Sequence, residues 1–357
     1  MPRHAQRALL HDVACTAAGE CVSVGYFAAA SGYWYSLVEA QRGPSWHLVP
    51  TPNRPAAIAS VLSGVSCTAA TRCVTVGNWT DRSEVQLPLV EAWNGARWSI
   101  SAPPLPSGAA SGMLTGVRCL SASWCTAAGS YLARNHDLDT LIEHWDGSSW
   151  RPERSPDASG ATASTFASVS CSSTSSCVAV GFSVSPSGAT TSLAEAWDGR
   201  TWRITPTVNP PGRATRAWVE LDAVSCPRTT VCVATGDLGL SNADPYVALA
   251  EVWNGRRWTL SDPVRPRGTS KSPLTGVSCP TSRSCTAVGF RAGRTGTTTL
   301  AEIWNGSVWK AEPTPNQASV SASQLYDVAC SSTSACTADG DAGTGGFVHP
   351  LAETSSP

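Results

Sequence analysis

The chain has 357 residues, a formal net charge of −1 and 14% charged residues. The near-neutral charge excludes the basic surface typical of nucleic-acid binding, and no apolar run reaches the roughly 18 residues that a membrane span needs. The stretch before Cys15 lacks the apolar core of a signal peptide. In chain order, the sequence divides into seven repeats, approximately residues 10–61, 62–113, 114–165, 166–220, 221–273, 274–324 and 325–357.

Each repeat predicts four short β-strands. The runs are short, rich in β-branched residues and bounded by turn residues, and a Gly follows the second run in all seven repeats. No segment has a helical period. In the second repeat the predicted strands are Leu62–Cys67, Cys73–Gly77, Pro88–Trp93 and a fourth that starts at Arg97.

Four antiparallel strands repeated seven times are typical of a β-propeller. We therefore expect an all-β fold, one seven-bladed propeller domain over residues 1–357. A string of separate small domains is the alternative, but four such strands have too little core alone. The seventh repeat keeps Glu353 but has no fourth strand, so the last blade is expected to be incomplete, with residues 1–9 as a candidate closing strand.

Every repeat has one C-x5-C pair, which uses all 14 cysteines. The two cysteines end strand one and begin strand two, so they face each other across a turn at a distance that suits a disulfide. The spacing does not favour a zinc site, because zinc ligands are usually closer in sequence. Buried free thiols and a metal site are the alternatives. We expect seven disulfides, and hence an oxidising, extracellular or cell-surface location. The pairs are Cys15/Cys21, Cys67/Cys73, Cys119/Cys125, Cys171/Cys177, Cys226/Cys232, Cys279/Cys285 and Cys330/Cys336.

The motif "EAWNGARW", from Glu91 to Trp98, recurs with variations in repeats two to six. Asn-Gly or Asp-Gly predicts a two-residue hairpin turn. Such a turn pairs Trp93 with Ala96 and Glu91 with Trp98, which places Glu91, Trp93 and Trp98 on one face of the sheet. Two interpretations follow: a sugar site in each blade, or packing between blades. The first repeat differs, because "QRG" replaces "WNG".

The "W-D-G-x-x-W" core resembles the repeat of fucose-binding propeller lectins, and the turn resembles a shortened Asp-box of sialidase-like propellers. The lectin resemblance implies a sugar site of Glu, Trp and Arg in each blade. Here strand two offers no Arg, and the Glu precedes the Trp by two residues, not three. These departures favour packing. The whole pattern, "VSC…CVAVG…LAEAWNG..W", resembles uncharacterised secreted repeat proteins of actinobacteria.

The loops between strands two and three, and the links between repeats, vary in sequence and are where binding is expected. Aromatic residues with Asp, Asn and Arg are typical of sugar- and protein-binding sites. His136 with Asp137 and Asp139 also has the residue types of an acid–base or metal site. The candidates are Tyr33, Trp34, Tyr35, Trp79, Tyr131, His136, Asp137, Asp139, Trp218, Asp237, Asn242, Asp244, Tyr246 and Arg291.

The sequence has none of the common hydrolase, metalloprotease, Walker or dinucleotide-binding motifs, and it predicts no catalytic residue, cofactor or metal. We expect a non-catalytic binding or scaffold module that recognises carbohydrate or a surface protein, as a monomer or as part of a larger chain. The alternatives are a sialidase-like glycoside hydrolase or lyase, which needs converging carboxylates near the central channel, and a structural repeat domain of a larger surface protein.

Overall fold

The computed structural model describes residues 5–209, 218–239, 246–266, 268–294, 296–316, 320–344 and 347–355. Every regular element in these ranges is a β-strand. They contain no helix that is long and apolar enough to cross a membrane. The strands form seven successive units, and each unit is built from antiparallel neighbours in chain order.

The first three units have four strands each. They are β1 (Ala5–Ala17), β2 (Glu20–Ala29), β3 (Trp34–Arg42) and β4 (Ser45–Leu48); β5 (Ala59–Ala69), β6 (Arg72–Thr80), β7 (Gln86–Trp93) and β8 (Trp98–Ser101); and β9 (Ser111–Ser121), β10 (Trp124–Leu132), β11 (Leu138–Trp145) and β12 (Trp150–Glu153).

Units four to six follow the same pattern, with an extra short strand, β21, at the start of unit six, while unit seven has three described strands. They are β13 (Ala163–Ser173), β14 (Ser176–Val184), β15 (Thr190–Trp197) and β16 (Trp202–Ile204); β17 (Trp218–Arg228), β18 (Val231–Gly239), β19 (Tyr246–Trp253) and β20 (Trp258–Ser261); β21 (Lys271–Ser272), β22 (Leu274–Thr281), β23 (Ser284–Gly293), β24 (Gly296–Trp304) and β25 (Trp309–Glu312); and β26 (Ala322–Cys330), β27 (Cys336–Thr344) and β28 (Phe347–Thr354).

All seven cysteine pairs form disulfides between the first two strands of their units, as the sequence predicts. No cysteine in the described part of the chain is free. Each bond closes a loop with a sequence separation of 6, so it joins strands that are already neighbours. Seven disulfides are typical of an oxidising environment.

The hydrophobic core lies between neighbouring units. One cluster joins Val178 and Val180 of unit four to Leu221 and Trp258 of unit five. The other clusters repeat this arrangement along the chain. Because each unit buries its apolar face on the next, no unit has a complete core by itself.

The disulfides belong to this core. Cys125 and Cys232 are each 2% exposed, and Cys285 is 0% exposed. Each of these three lies in the same hydrophobic cluster as the second Trp of its own hairpin motif, which is Trp150, Trp258 or Trp309. A disulfide placed in this way is a packing element as well as a covalent link between two strands.

The hairpin turn between strands three and four differs from the prediction. Trp93 pairs with Trp98 and Glu91 pairs with Ile100, so the two-residue register was wrong. The loop covers residues 94–97, and Asn94 Oδ1 accepts hydrogen bonds of 3.0 Å from the backbone N–H groups of Ala96 and Arg97. The shift is two residues, so the predicted shared face survives because side chains alternate with a period of two.

The second strand does not end at its Gly, as predicted, but continues for about three residues in β6 and β10. The Gly is needed for another reason. A Cβ atom on Gly129 would lie 2.1 Å from the carbonyl oxygen of Met113 in the neighbouring strand. Gly at this position therefore allows two backbones to approach closely.

The two short turns of each unit lie at the same end of the sheet. The Trp145 indole donates a 3.1 Å hydrogen bond to the Ala122 carbonyl in the C-x5-C turn, and Trp197 does the same to Thr174. The variable loops and links therefore lie at the opposite end, as the sequence predicts.

The first and seventh units contact each other. Arg7 pairs with Val348 between parallel strands β1 and β28. The Val13 N–H lies 3.4 Å from Asp327 Oδ2, and the Ser23 hydroxyl donates to Asp339. We call this contact the seam. Residues 5–9, which fall in the predicted closing segment, form the start of β1.

Candidate functional site

The first long strand of every unit contains a β-bulge at the same repeat position, four residues before its first cysteine. A bulge inserts one unpaired residue and can redirect its side chain. All seven bulge residues line one cavity of about 250 Å³. We call this the central cavity. Its bulge residues are His11, Ser63, Thr115, Ala167, Asp222, Thr275 and Tyr326.

One side of the central cavity is acidic. The bulge in β17 shifts the register so that Glu220 lies opposite Asp237, and Asp222 follows in the cavity wall. One carboxylate oxygen of each residue lies within 4.8 Å of the others. We call Glu220, Asp222 and Asp237 the acidic cluster.

Burial and mutual repulsion control the charge of the acidic cluster. Burial, followed by the charges of Asp222 and Asp237, raises the pKa of Glu220 to about 8. Burial and the Asp237 charge raise the pKa of Asp222 to about 8, and burial raises the pKa of Asp237 to about 6. Without a cation, the acidic cluster therefore retains protons at neutral pH.

The other side of the central cavity is an aromatic row that leads outward to the variable loops. Tyr326 and His11 have ring centroids 6.2 Å apart, His11 and Tyr26 5.4 Å, and Tyr26 stacks on Trp34 at 4.7 Å. Trp34 is 43% exposed. The row therefore connects a solvent-exposed ring to the cavity wall.

The His11 ring is held in one tautomer. Its Nδ1 lies 3.2 Å from the carbonyl oxygen of Leu62, which only accepts, so Nδ1 carries the proton. Burial lowers the pKa of His11. The ring is therefore neutral near pH 7, with an unprotonated Nε2.

Tyr326 is a protonated partner beside His11. Burial and a hydrogen bond with Asp341 raise the pKa of the Tyr326 phenol. Burial also raises the pKa of Asp341, while Tyr326 and Arg7 lower it. The lining of the central cavity thus contains a neutral imidazole, a phenol and Asp222 of the acidic cluster.

Three of the predicted binding residues belong to this site. Asp237 is in the acidic cluster, and Trp34 ends the aromatic row. Trp218 is 47% exposed and starts β17 two residues before Glu220, with its ring 6.4 Å from that of Phe182. Neither exposed tryptophan is part of the cavity lining: Trp34 is linked to it through Tyr26 and His11, and Trp218 lies four residues before Asp222 in β17.

The predicted cluster of His136, Asp137 and Asp139 does not converge. His136 is at the tip of a tight turn with φ of 70°, and its N–H donates to the Ala133 carbonyl. Asp137 Oδ2 accepts a 2.6 Å bond from Asn135, while Asp139 bonds to Tyr131. The acid–base or metal interpretation of this loop is therefore wrong, because its side chains serve local turn structure.

The remaining candidates are spread over units one, two, five and six. The guanidinium of Arg54 lies 4.4 Å from the Trp79 ring, and Lys271 Nζ lies 4.7 Å from that of Tyr246. Arg291 donates to Thr298 in its own hairpin. Tyr33 is exposed and Tyr35 stacks on Phe27. The predicted residues Asn242 and Asp244 lie outside the described ranges.

The predicted disulfide residues Cys125, Cys232 and Cys285 do not belong to a functional site. They are buried in the clusters between units, and the lining of the central cavity does not include them. Their sulfur atoms are bonded to Cys119, Cys226 and Cys279, so they offer no thiol to a ligand or a metal. Among the residues singled out from the sequence, these three are therefore structural and not binding residues.

The repeated Glu of the hairpin motif does not contact solvent. Glu91, Glu143, Glu195, Glu251 and Glu302 are each 0% exposed. Three of them bond to the preceding unit or its link: Ser155 Oγ donates to Glu195, the Val208 N–H to Glu251 and the Val264 N–H to Glu302, each at 2.9 Å. The sugar-site interpretation of this motif is therefore wrong, and the packing interpretation is right.

Sequence reasoning missed three cavity residues, His11, Asp222 and Tyr326, and also Glu220, which lies beside Asp222. The three cavity residues share one repeat position, four residues before the first cysteine, which varies between repeats while the position before it is always Leu or Phe. The bulge that points this position into the cavity has no sequence signature of its own.

Neither a protein-family model nor a curated protein matches the sequence. Solved structures do resemble the fold. An ulvan lyase of a polysaccharide lyase family, bound to -[GlcA(1-4)Rha3S]-, matches 99% of this chain and 95% of its own, with a TM-score of 0.60 and 8% identity.

Two further structures are similar. A Hadza microbial sialidase matches 99% of this chain and 66% of its own, with a TM-score of 0.53 and 9% identity. Sqt1 of Chaetomium thermophilum, bound to the N-terminus of ribosomal protein L10, matches 99% and 88%, with a TM-score of 0.52 and 10% identity. At such identities the similarity concerns the fold alone, which is β-propeller-like.

Proposed function

We propose that the chain is a single seven-bladed β-propeller over residues 1–357, closed at the seam, that binds carbohydrate at the variable-loop end of the central cavity. Contacts between the first and seventh units support closure. The seven bulge residues around one cavity support the blade count. The seventh blade has three described strands.

The observation that supports the binding proposal is the exposure of two tryptophans, Trp34 and Trp218, at the variable-loop end. Trp34 connects to His11 through Tyr26, and Trp218 adjoins Glu220. Sugars are bound by apolar ring faces together with a few polar groups that fix orientation. Two similar folds, the ulvan lyase and the sialidase, are named for action on carbohydrate, which agrees with this class of ligand.

A glycan array followed by calorimetry on positive glycans tests the proposal. We expect Trp34→Ala and Trp218→Ala to weaken binding at least tenfold. Val308→Ala is the matched control, because Val308 is 61% exposed in the short turn at the opposite end. Equal affinity in all four proteins, or an array without any bound glycan, overturns the proposal. In that case, a protein ligand found by pull-down supports binding to a surface partner. The absence of any ligand supports a role as a structural domain.

Carbohydrate cleavage is the second candidate function, favoured by the His11–Tyr326 pair. An unprotonated Nε2 can accept a proton and a protonated phenol can donate one, which are the two roles of acid–base cleavage. Incubation with acidic polysaccharides, followed by ultraviolet detection of unsaturated ends and a reducing-end assay, tests it. Activity that is lost in His11→Ala and Tyr326→Phe supports cleavage. If a glycan binds but no product forms, the result supports binding alone.

A further inference from the structure

We propose that Glu220, Asp222 and Asp237 bind one divalent cation, Ca²⁺, beside the central cavity, whose lining includes Asp222. Each residue directs one carboxylate oxygen into a space where these oxygens are within 4.8 Å of one another. Two oxygen ligands of one Ca²⁺, at about 2.3–2.6 Å each, can be up to about 5 Å apart. The geometry therefore suits a shared ion, whereas the sequence alone predicted no metal.

A buried, unpartnered oxygen points to a missing ligand. Glu220 is 9% exposed, and its Oε1 is buried without a hydrogen-bond partner. Trp218 supplies a hydrogen bond to the same carboxyl group. A buried carboxylate oxygen without a donor is unfavourable by about 1–3 kcal/mol or more. A cation among the three carboxylates would satisfy it.

In the described part of the chain, no basic side chain is among the groups that act on the acidic cluster. The groups that act electrostatically on Glu220 and Asp222 are the other carboxylates of the acidic cluster. The two ion pairs of the described ranges, Arg151–Asp146 and Arg203–Asp198, lie in exposed hairpins of other units. Buried charges are normally paired or coordinate a metal, so a bound cation would supply the counter-charge that lets the acidic cluster lose its protons.

The seventh unit provides a contrast at the same repeat position. Asp341, like Asp237, directly follows the Gly of strand two. Its carboxyl group faces Tyr326 and Arg7 rather than further carboxylates. Asp341 Oδ1 is also buried without a partner, but its carboxyl group has a hydrogen-bond donor and a positive charge beside it, so Asp341 is a matched control.

The donor set selects the kind of ion. It contains only carboxylate oxygens, which hard cations prefer, and no His or Cys of the kind that zinc sites use. Asp222 also lines the central cavity, so water there can complete the six to eight ligands of Ca²⁺.

Thermal unfolding of the full chain with CaCl2, after treatment with a chelator, tests the proposal, together with calorimetric titration of CaCl2. We expect Ca²⁺ to raise the midpoint of the wild type and of Asp341→Asn equally. Asp237→Asn and Glu220→Gln should weaken Ca²⁺ binding at least tenfold. No Ca²⁺ effect on the wild type, or equal effects on Asp237→Asn and Asp341→Asn, overturns the proposal.

Terbium luminescence gives a readout that does not depend on stability. Tb³⁺ replaces Ca²⁺ in oxygen sites and emits when a nearby Trp is excited, and Trp218 bonds to Glu220. We expect sensitised emission that excess CaCl2 quenches and that falls at least fivefold in Trp218→Phe. Emission unchanged in both Trp218→Phe and Glu220→Gln places the ion elsewhere and overturns the assignment. The outcome is separate from glycan binding, because neither measurement contains a glycan.

Discussion

The indole Nε1 of Trp258 donates a 3.1 Å hydrogen bond to Thr205 Oγ1, 53 residues earlier in the chain. Trp202 and Trp309 make equivalent bonds to Glu153 and Ser261 of the units before theirs. In units four to six the second Trp of the hairpin motif is therefore hydrogen-bonded to the preceding unit or its link, as well as being a large buried side chain.

Trp258→Ala should lower the free energy of unfolding by about 3–5 kcal/mol, because Trp258 is 3% exposed in the cluster between units four and five. Trp258→Phe keeps most of the apolar contact and should lose about 1–2 kcal/mol, mainly the hydrogen bond. Urea denaturation measures both losses, provided that the unfolding free energy of each variant depends on urea concentration with the same slope as that of the wild type. A loss below about 0.5 kcal/mol for the Ala variant, the level of a surface change, contradicts this assignment.

The disulfide prediction has a chemical and a thermodynamic test. Iodoacetamide in denaturant should label no cysteine before reduction and all 14 after it. Replacing Cys171 and Cys177 together by Ala should lower stability by about 2 kcal/mol, because the bond closes only a short loop. Labelling of the unreduced protein at any cysteine pair would show that this pair is not bonded.

Stability should fall as the pH rises from about 5 to about 8, and Glu143 should contribute to the fall. Burial, and then the Glu153 charge, raises the pKa of Glu143 to about 8, above its unfolded value. Its contribution is therefore fully present below the unfolded pKa and is lost as the pH rises through the folded one. One such group changes stability by at most about 1.4 kcal/mol per pH unit.

Glu143→Gln should reduce this slope, because both oxygens of Glu143 are buried without partners and the Gln side chain cannot ionise. Unfolding midpoints in urea at several pH values measure the slope. Glu84→Gln, at an exposed turn, is the control and should follow the wild-type curve. A Glu143→Gln curve parallel to the wild type would refute the role of this carboxyl group.

At the seam, Asp339→Val should stabilise the protein at pH 8. Asp339 is 0% exposed, and the equivalent residues of four other units are the buried Val24, Val76, Val180 and Val288. Burial and the charge of Asp327 raise the pKa of Asp339, so its ionisation destabilises the folded state as pH rises. The gain in midpoint should therefore be larger at pH 8 than at pH 5.

Asp339→Asn separates charge from packing in the same experiment. It keeps an acceptor for the Ser23 hydroxyl but cannot ionise, and it leaves the neighbouring Asp12 and Asp327 unchanged. We expect it to reproduce the pH dependence of the gain without the apolar packing. A lower midpoint for both variants at pH 8 would mean that the ionised carboxyl stabilises the seam.

Much of the fold could be predicted from local pattern. The period-two strands, the cysteine pairs and the placement of short turns at one end all follow from residues close in sequence. The hairpin register could not, because the Asn94 side chain supports a four-residue loop that the Asn-Gly pair does not distinguish from a two-residue turn. The predicted binding role of Trp34, Trp218 and Asp237 stays a prediction, because none of them lines the cavity, and His11, Glu220, Asp222 and Tyr326 were not anticipated.

The sequence by itself determined the repeat, its strands and its disulfides, because each depends on residues within one unit. Only the tertiary structure decided what the side chains face. The bulge in β17 places Glu220 opposite Asp237, since one unpaired residue shifts the register of the rest of the strand. Glu251 and Trp258 find their partners in the preceding unit or its link. Burial and long-range contacts depend on residues roughly one repeat away, unlike the alternation of side chains along a strand. These long-range contacts create the central cavity.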